Sequence, residues 1–234
     1  MNLITPRNWI HTFDIWGVLI DNARASAAEL ALYKEFAKKL DIPEETIQEN
    51  LRLYNLAISG QAGDKKSEFL KPINDSVNRW FNEYPGYQQR SVKDMEECFY
   101  DDTTQVMRQI INSGERVALF TSATSNSANT AFQRKHGDLA AMIGAPYAWV
   151  KSVEGFKRLG EELKAKQFIP ATHAEDELRY VQNAKESGVY SGALILVDRK
   201  GKVGNGDVRI LHEQGIIATR DLRELDYTTL RRKQ

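Results

Sequence analysis

The sequence lacks several features that would assign the protein to a specialised class. Cys98 is the only cysteine among 234 residues, which excludes an internal disulfide. The 32 basic and 32 acidic residues cancel, so no overall field draws the protein to nucleic acid or to a membrane surface. No segment approaches the roughly 18 uncharged apolar residues that a membrane-spanning helix needs. We therefore expect neither nucleic acid nor a membrane among its partners.

Two further absences concern the cell compartment and the thiol. The first residues lack the long apolar core of a secretory signal peptide. Together with the sparse cysteine this predicts a soluble, cytoplasmic protein in a reducing environment. Cys98 stands near Met95 and beside Phe99 in a helical pattern, which predicts a small buried side chain rather than a thiol nucleophile.

The first part of the chain has one strand pattern followed only by helix patterns. Residues 9–13 form a short strand pattern that ends at Asp14. From residue 23 to 100, apolar side chains recur at the spacing of amphipathic helices. The turn-forming residues 84–86 end one of these helices, and another is predicted from about residue 92 to 112.

After residue 112 the character of the sequence changes to alternating strands and helices. Strand patterns lie at residues 117–120, 168–172, 193–197 and near 216, and helix patterns lie after 125, at 152–164 and at 175–187. The run at 117–120 is continuously apolar, as in a strand buried on both faces. Such alternation predicts an α/β fold, in which a parallel sheet carries helices on both faces.

The two patterns together predict a core domain with an insertion. Residues 1–20 and 101–234 are assigned to the α/β core, and residues 21–100 to an inserted all-helical cap. Ligands of open α/β sheets bind at the carboxyl ends of the strands. An insertion that leaves the first strand at that edge is expected to cover the ligand as a lid.

Asp14 is the first candidate for chemistry. It ends the first predicted strand, and Gly17 follows three residues later, where the chain must turn. A carboxylate in that place can attack an electrophile and form a covalent intermediate. The structural alternative is a helix cap or turn cap, for which aspartate is also common.

The strand at residues 117–120 leads into a second candidate, the hydroxyl pair Thr121 and Ser122, followed by a helix pattern. Hydroxyl and amide groups between a strand end and a helix start can hold an anionic oxygen. Serine and threonine also cap helices for structural reasons, so the pair does not indicate function without other features.

These features together resemble the haloacid dehalogenase (HAD) superfamily of phosphatases and related hydrolases, over nearly the whole chain. Its members have a strand that ends in Asp-x-Asp-Gly-Thr-Leu, in some cases a helical cap, and a later strand that ends in Ser or Thr. Here residues 14–19 read DIWGVL and residues 119–122 read LFTS. Residues 99–122 are similar to the segment by which capped members re-enter their core. The resemblance implies a HAD-like Rossmannoid sheet with a helical cap.

The same resemblance implies roles for individual residues. Asp14 would be the nucleophile and Thr121 a catalytic hydroxyl. Trp16, Gly17 and Ser122 would contact the substrate, a small anionic molecule.

The superfamily also has a lysine after the second motif. Lys151, in YAWVKSVEGFKRLGEEL just before a predicted helix, is placed as in the enolase-phosphatases of the superfamily. The resemblance makes Lys151 catalytic, because its ammonium would neutralise the nucleophile and a bound anion. The structural alternative is a solvated lysine at a helix start.

The fourth motif of the superfamily holds one or two acidic residues at the end of a late strand. The segment FIPATHAEDEL is similar to the one that reads Ser-Asp-x-x-x-Glu-Leu in members of the superfamily. This alignment puts His173 at the metal position. A small shift would let Asp176 take that place, or Glu175 and Glu177. The predicted metal ligands are Asp14 and Asp176.

A rival alignment takes the fourth motif from the next strand. LILVD supplies Asp198, and GKVGNGDVRILHEQG supplies Asp207. The spacing between these two residues is longer than the usual form, so the first alignment is preferred. In it, residues 197–206 are only a glycine-rich loop.

Trp16 stands where a phosphatase of this class has its second aspartate. That aspartate protonates the leaving alkoxide and later activates water, and indole can do neither. Magnesium, the cofactor that the resemblance implies, prefers hard oxygen ligands, so His173 at the fourth motif would weaken its site.

Two functions follow from this combination. The first is a HAD-like hydrolase with an aspartate nucleophile, acting on a small phosphorylated or halogenated organic acid. The 2-haloacid dehalogenases of the superfamily also have an aromatic residue two positions after the nucleophile, and halide leaves without a proton or a metal. The alternative is a catalytically inactive HAD-fold protein that binds a ligand or a partner.

Overall fold

The computed structural model describes residues 8–59, 61–123 and 125–230. The chain divides into two compact units. The α/β unit comprises residues 1–21, 99–124 and 136–234, and the helical unit comprises residues 22–98 and 125–135. Among the described residues no helix is both long and apolar enough to cross a membrane.

The helices are numbered in chain order through both units. They are α1 (Asn22–Lys39), α2 (Glu44–Ile58), α3 (Lys66–Glu83), α4 (Pro85–Glu96), α5 (Asp101–Asn112), α6 (Asn126–Lys135), α7 (Gly137–Ile143), α8 (Val153–Ala165), α9 (Leu178–Ser187), α10 (Asn205–Glu213) and α11 (Tyr227–Leu230). Single 3₁₀ turns lie at Gly63–Lys65 and Leu222–Glu224.

The α/β unit is built on a six-stranded sheet in the order β3-β2-β1-β4-β5-β6. The strands are β1 (Trp9–Phe13), β2 (Arg116–Thr121), β3 (Tyr147–Ala148), β4 (Ile169–Glu175), β5 (Leu194–Val197) and β6 (Ile216–Thr219). Every neighbouring pair is parallel. The predicted α/β class is therefore confirmed, and β1 has the predicted bounds.

Side chains of β1 alternate between the two faces of the sheet, and both faces are covered. Ile10 belongs to a core cluster with Leu159 of α8 and Val181 of α9. Phe13 contacts the ring of Tyr227 in α11, with the ring centroids 5.9 Å apart. This double coverage explains why β1 is buried along its whole length although it contains polar residues.

Three predicted boundaries are wrong. The helix expected from residue 92 to 112 is two helices, α4 and α5. A turn at residues 97–98 ends α4, and the chain is extended at Tyr100, whose amide donates to the Leu19 carbonyl at 2.9 Å. The helix expected from residue 175 begins at Leu178, since β4 continues through Glu175. The glycine-rich loop ends at Gly204, after which α10 forms.

The helical unit has an aromatic core of its own. Tyr33 stacks on Trp80 with the ring centroids 5.4 Å apart, and Phe36 meets Tyr87 edge to face at 5.0 Å. The unit contains α6 as well as α1 to α4, since the Ser91 and Ser127 hydroxyls of α4 and α6 are 2.6 Å apart. In the sequence-based division α6 was counted with the core. That the helical unit acts as a lid stays a prediction.

Candidate active site

Asp14 lies at the carboxyl end of β1, in the middle of the sheet. Its backbone amide donates to the Ala174 carbonyl of β4 at 2.9 Å, which fixes the chain at the point where the strand ends. One carboxylate oxygen, Oδ1, accepts a hydrogen bond from the Ile15 amide at 2.7 Å. The side chain is buried, so its charge must be balanced by neighbouring groups.

The turn after Asp14 is tight and depends on a glycine. The Gly17 amide donates to the Ile20 carbonyl at 2.8 Å, and the Ile20 amide donates to the carbonyl of Ile15, also at 2.8 Å. Gly17 has φ +81°, a conformation that side chains disfavour. A Cβ atom there would lie 1.9 Å from Oδ2 of Asp176. Gly17 therefore makes room for a second acidic side chain.

Lys151 connects Asp14 to the end of β4. Its Nζ lies 2.6 Å from Asp14 Oδ2 and 2.6 Å from Glu175 Oε2. The lysine side chain is buried, so the alternative of a solvated lysine is wrong. Burial by itself would lower the pKa of Lys151, but the carboxylates of Asp14 and Glu175 outweigh it and raise the pKa.

The local sequence explains why Lys151 is held so firmly. Its carbonyl accepts a hydrogen bond from Asn183 Nδ2 of α9 at 2.8 Å. Ser152 is the N-cap of α8, and its hydroxyl accepts from the Gly155 amide at 3.1 Å. The backbone on both sides of the lysine is therefore fixed, and the ammonium reaches the strand ends from a rigid base.

The acidic residues of β4 differ from the predicted arrangement. His173 does not occupy the metal position, because β4 runs two residues beyond it and buries its ring in the core. Glu175 ends the strand instead, fully buried, and its Oε1 accepts from the Asp176 amide at 3.1 Å. Glu177 is exposed and pairs with Arg179. Glu175 and Asp176 are thus the acidic residues beside Asp14.

Asp14, Glu175 and Asp176 form a cluster in which one oxygen of each lies within 4.8 Å of the others. Burial and the neighbouring Glu175 raise the pKa of Asp14 to about 7, although Lys151 opposes the change. Burial and Glu175 likewise raise the pKa of Asp176 to about 8. Lys151 supplies one positive charge to three carboxyl groups, so the cluster has an excess of negative charge once Asp14 and Asp176 are both ionised.

This donor set fits a divalent cation with a preference for oxygen. Magnesium is usually held by one or two carboxylates together with substrate oxygens and water. The oxygens of Asp14, Glu175 and Asp176 could supply such ligands, and a cation there would offset the charge that Lys151 leaves uncompensated. The two predicted metal ligands, Asp14 and Asp176, lie together in this cluster, and metal binding by them stays a prediction.

We expect the stability of the protein to fall as the pH rises through neutrality. Asp14 and Asp176 ordinarily titrate at 3.8, but in the folded protein at about 7 and 8. The folded state therefore binds more protons than the unfolded chain from about pH 4 to 8, and stability declines over that window. Between about pH 6 and 8.5 the free energy of unfolding should drop by about 2 to 4 kcal/mol, measured by urea denaturation.

Magnesium should reverse this decline, because the cation and the protons compete for the same carboxylates. The expected increase in melting temperature on adding magnesium chloride is larger at about pH 8.5 than at about pH 6. Asp176→Asn should lose most of the increase, whereas the matched change Asp198→Asn should keep it. An equal magnesium effect in both variants would contradict a cation site at Asp176.

The predicted hydroxyl pair, Thr121 and Ser122, lies at the same edge of the sheet, but the Thr121 hydroxyl is hydrogen-bonded within its own turn. Thr121 ends β2 and is fully buried, and its hydroxyl donates to the Ala123 carbonyl at 2.8 Å. The same hydroxyl accepts from the Ala123 amide at 3.2 Å, so it stabilises its own turn. Ser122 is exposed. Contact of either residue with a substrate stays a prediction.

Trp16 is half-buried beside the same turn. Its indole Nε1 donates to the Ala123 carbonyl at 3.2 Å, which joins the loop after β1 to the loop after β2. The indole thus has a hydrogen-bonding role of its own, and it brings no acid to position 16.

The rival fourth motif does not join the cluster. Asp198 follows β5 and accepts from the Lys202 and Val203 amides, each at 2.9 Å, so it closes its own loop. Asp207 is exposed in the first turn of α10. Among the described residues, the carboxyl cluster contains neither, which favours the alignment on β4.

Arg199 supports the site from outside and was not singled out from the sequence. It pairs with Asp102 at the start of α5, with Nη1 2.6 Å from Oδ2, and its Nη2 donates to the Val18 carbonyl at 3.3 Å. The Thr103 hydroxyl also donates to that carbonyl, at 2.7 Å. The turn after Asp14 is therefore fixed from the side of α5 as well as from β4.

Gly17→Ala is expected to disrupt the carboxyl cluster. The added Cβ would displace Asp176, so magnesium stabilisation should be lost. Gly188→Ala is the matched control, because Gly188 has φ +66° and its Cβ would meet no atom within 4 Å. A side chain in the left-handed conformation should destabilise both variants by about 1–2 kcal/mol. The free energy of unfolding, measured with urea, should fall further in Gly17→Ala. Equal losses would mean that Asp176 is free to move aside.

Comparison with known proteins gives similarity at the level of structure. No protein-family profile and no curated protein matches the sequence. A HAD phosphatase from Thermococcus onnurineus is 15% identical over 97% of this chain and 100% of its own, with a TM-score of 0.60. YfnB from Bacillus subtilis, a candidate HAD hydrolase crystallised with magnesium, is 13% identical over 96% and 99%, with a TM-score of 0.57. An L-2-haloacid dehalogenase is 14% identical over 95% and 98%, with a TM-score of 0.52.

Proposed function

We propose that this chain, which has the haloacid dehalogenase fold, is a hydrolase in which Asp14 attacks a small anionic substrate. The observation that carries the proposal is the contact of Lys151 Nζ with both Asp14 Oδ2 and Glu175 Oε2 at 2.6 Å. A buried ammonium between two carboxylates keeps one of them available as an anion. It also supplies positive charge where an anionic substrate would meet the nucleophile.

The proposed reaction has two steps. A carboxylate oxygen of Asp14 attacks the substrate and expels the leaving group, which produces an acyl phosphate of Asp14 from a phosphorylated substrate, or an ester of Asp14 from a halogenated acid. Water then cleaves this intermediate, releases phosphate or the hydroxy acid, and regenerates the carboxylate. Lys151 balances the charge of Asp14, and the amide of Ile15 fixes the orientation of its other oxygen.

The carboxyl cluster favours a phosphorylated substrate over a halogenated one. Expulsion of halide from a carbon atom requires no cation, whereas the negatively charged phosphoryl group must approach three carboxyl groups. A magnesium ion on Asp14, Glu175 and Asp176 would supply charge neutralisation for that group. The halogenated organic acid is the second candidate, favoured by Trp16, which provides no proton donor.

Trp16 also limits the leaving groups that the site can expel. An alkyl phosphate must release a strongly basic alkoxide, and a general acid typically accelerates that release by about 10²–10⁴-fold. An acyl or aryl phosphate releases a weakly basic carboxylate or phenolate, which can leave without taking up a proton. We therefore propose phosphate esters and anhydrides with weakly basic leaving groups as the substrate class.

The test is a comparison of substrates on the purified protein. Acetyl phosphate and 4-nitrophenyl phosphate with magnesium should be hydrolysed, glycerol phosphate should react about 10²–10⁴-fold more slowly, and 2-chloropropanoate is assayed without metal. Equal rates for aryl and alkyl phosphates would contradict the leaving-group proposal. Release of chloride alone would select the second candidate.

A protein that binds its ligand without turnover is the remaining alternative. It is favoured by Thr121, whose hydroxyl is engaged in its own turn. In that case all four substrates would stay intact, while a non-hydrolysable phosphonate would still raise the melting temperature.

A further inference from the structure

His173 lies in the interior of the α/β unit, directly behind the carboxyl cluster. The residue is fully buried in β4 and pairs in register with Thr12 of β1. Its ring is stacked on Tyr190 with centroids 5.5 Å apart and meets Phe156 edge to face at 5.1 Å. Packing on both sides fixes the plane of the imidazole, so each ring nitrogen has a defined neighbour.

The two nitrogens face different partners. Nδ1 lies 2.9 Å from the Thr12 hydroxyl oxygen. Nε2 is buried, makes no hydrogen bond within ordinary limits, and lies 3.5 Å from Glu175 Oε2. That oxygen is the one that Lys151 contacts. A buried nitrogen aimed at an anionic oxygen is stabilised if it carries the proton, and is repelled if it presents its lone pair.

The hydroxyls next to Nδ1 indicate which nitrogen carries the proton. The Tyr190 hydroxyl lies 2.8 Å from Thr12 Oγ1, and burial raises the pKa of this phenol, so Tyr190 keeps its proton and can donate it to Thr12. Thr12 can then give its own proton to His173 Nδ1 at 2.9 Å or to the Thr172 carbonyl at 3.3 Å. If Thr12 donates along the shorter contact, to Nδ1, the imidazole proton is on Nε2.

We propose that His173 is a positioning residue that directs its Nε2–H at Glu175 Oε2 and thereby holds the carboxylate that orients Lys151 and Asp14. Glu175 would then be satisfied on both oxygens, since Oε1 accepts from the Asp176 amide and Oε2 from Lys151 and His173. A buried carboxylate fixed in this way keeps Lys151 at a constant distance from Asp14. The inference rests on the proposed function only for its effect on catalysis.

The tautomer can be measured without any substrate. Nitrogen-15 NMR of the histidine-labelled full chain distinguishes a ring with the proton on Nε2 from one with the proton on Nδ1. The signals of His173 are identified by their loss in His173→Gln. The expected result is a neutral ring with its proton on Nε2 near pH 7. A proton on Nδ1 would overturn the proposal, whether or not the protein turns over any substrate.

Two matched variants test the positioning role. In His173→Gln the side-chain amide can reach the place of Nε2, whereas in His173→Asn it can reach only the place of Nδ1. We expect the asparagine variant to bind magnesium more weakly, as measured by calorimetry, or to have a kcat about 10–100-fold lower with little change in KM. The glutamine variant should restore most of this loss. Equal values for both variants would overturn the proposal. If no substrate is turned over, but the proton is on Nε2 and the two variants differ in magnesium binding, the result would count against the proposed function alone.

Discussion

The Asp14→Asn variant is expected to lose turnover of every substrate by a factor on the order of 10⁴ or more, because a neutral amide cannot attack an electrophile. The fold should survive this change. The asparagine oxygen can accept from the Ile15 amide or from Lys151, the ammonium of Lys151 keeps its contact with Glu175, and the backbone bond to Ala174 is unaffected. Loss of activity with a retained cooperative unfolding transition would therefore report the chemistry of Asp14 and not a damaged sheet.

Asp198→Asn is the control for Asp14→Asn. Asp198 also ends a parallel strand, but its carboxylate accepts two amides of its own loop and stands outside the carboxyl cluster. Activity should persist in this variant. Rates are measured with 4-nitrophenyl phosphate and magnesium, with chloride release from 2-chloropropanoate as the second assay. Turnover unchanged in Asp14→Asn would remove Asp14 as nucleophile and, with it, the proposed mechanism.

The sequence predicted those parts of the α/β unit that depend on local hydrophobic pattern. The continuous apolar run at residues 117–120 gave β2, and the alternation of strands with helices gave a parallel sheet. The resemblance to the superfamily placed Asp14 and Lys151 in one site, and the structure joins them by a contact of 2.6 Å. A shared edge of a parallel sheet is the physical reason that strand ends far apart in sequence meet.

The site residue that the sequence could not assign is Glu175. Pro170 is unusual in an internal strand, and Thr172 and His173 are polar, so the pattern ended the strand too early. Both polar side chains have a partner on β1: the Thr172 hydroxyl lies 2.8 Å from His11 Nδ1, and His173 Nδ1 lies 2.9 Å from the Thr12 hydroxyl. Such pairing depends on sheet register, which a single sequence does not contain. The strand therefore ends three residues later than predicted, at Glu175 instead of Thr172.

The helix boundaries that failed have the same kind of cause. Residues 92–112 keep a helical period through the break between α4 and α5, where the Tyr100 amide bonds to the Leu19 carbonyl and Phe99 forms a bridge with Ile20. Helix α6 directly follows β2 in the chain, yet it groups with the helical unit. Local propensity cannot distinguish such packing partners, because the same apolar stripe suits either.

The Lys151→Met variant should have the largest effect on stability, because it leaves the buried carboxyl groups of Asp14 and Glu175 without a cation. Removing one partner of a buried ion pair typically costs about 3–5 kcal/mol. The loss should depend on pH. Near pH 5.5 Asp14 can take up a proton in place of the ammonium, so the cost there is smaller than near pH 8.5. Urea unfolding at the two pH values measures the difference, and Lys71→Met, at an exposed pair with Asp75, should change little.

A second substitution separates the charge of Lys151 from its packing. If uncompensated carboxylates cause the instability, then Lys151→Met combined with Glu175→Gln should recover much of the free energy lost by Lys151→Met near pH 8.5. The double variant would nevertheless stay inactive, since Asp14 would still lack the positive charge that holds it as an anion and receives the substrate. If the double variant is no more stable than Lys151→Met, the lysine stabilises the sheet edge through its methylene chain, and the electrostatic account of the site fails. Recovery of stability without recovery of turnover is the expected result, and it would separate the charge balance that stabilises the site from the positive charge that Asp14 needs for catalysis.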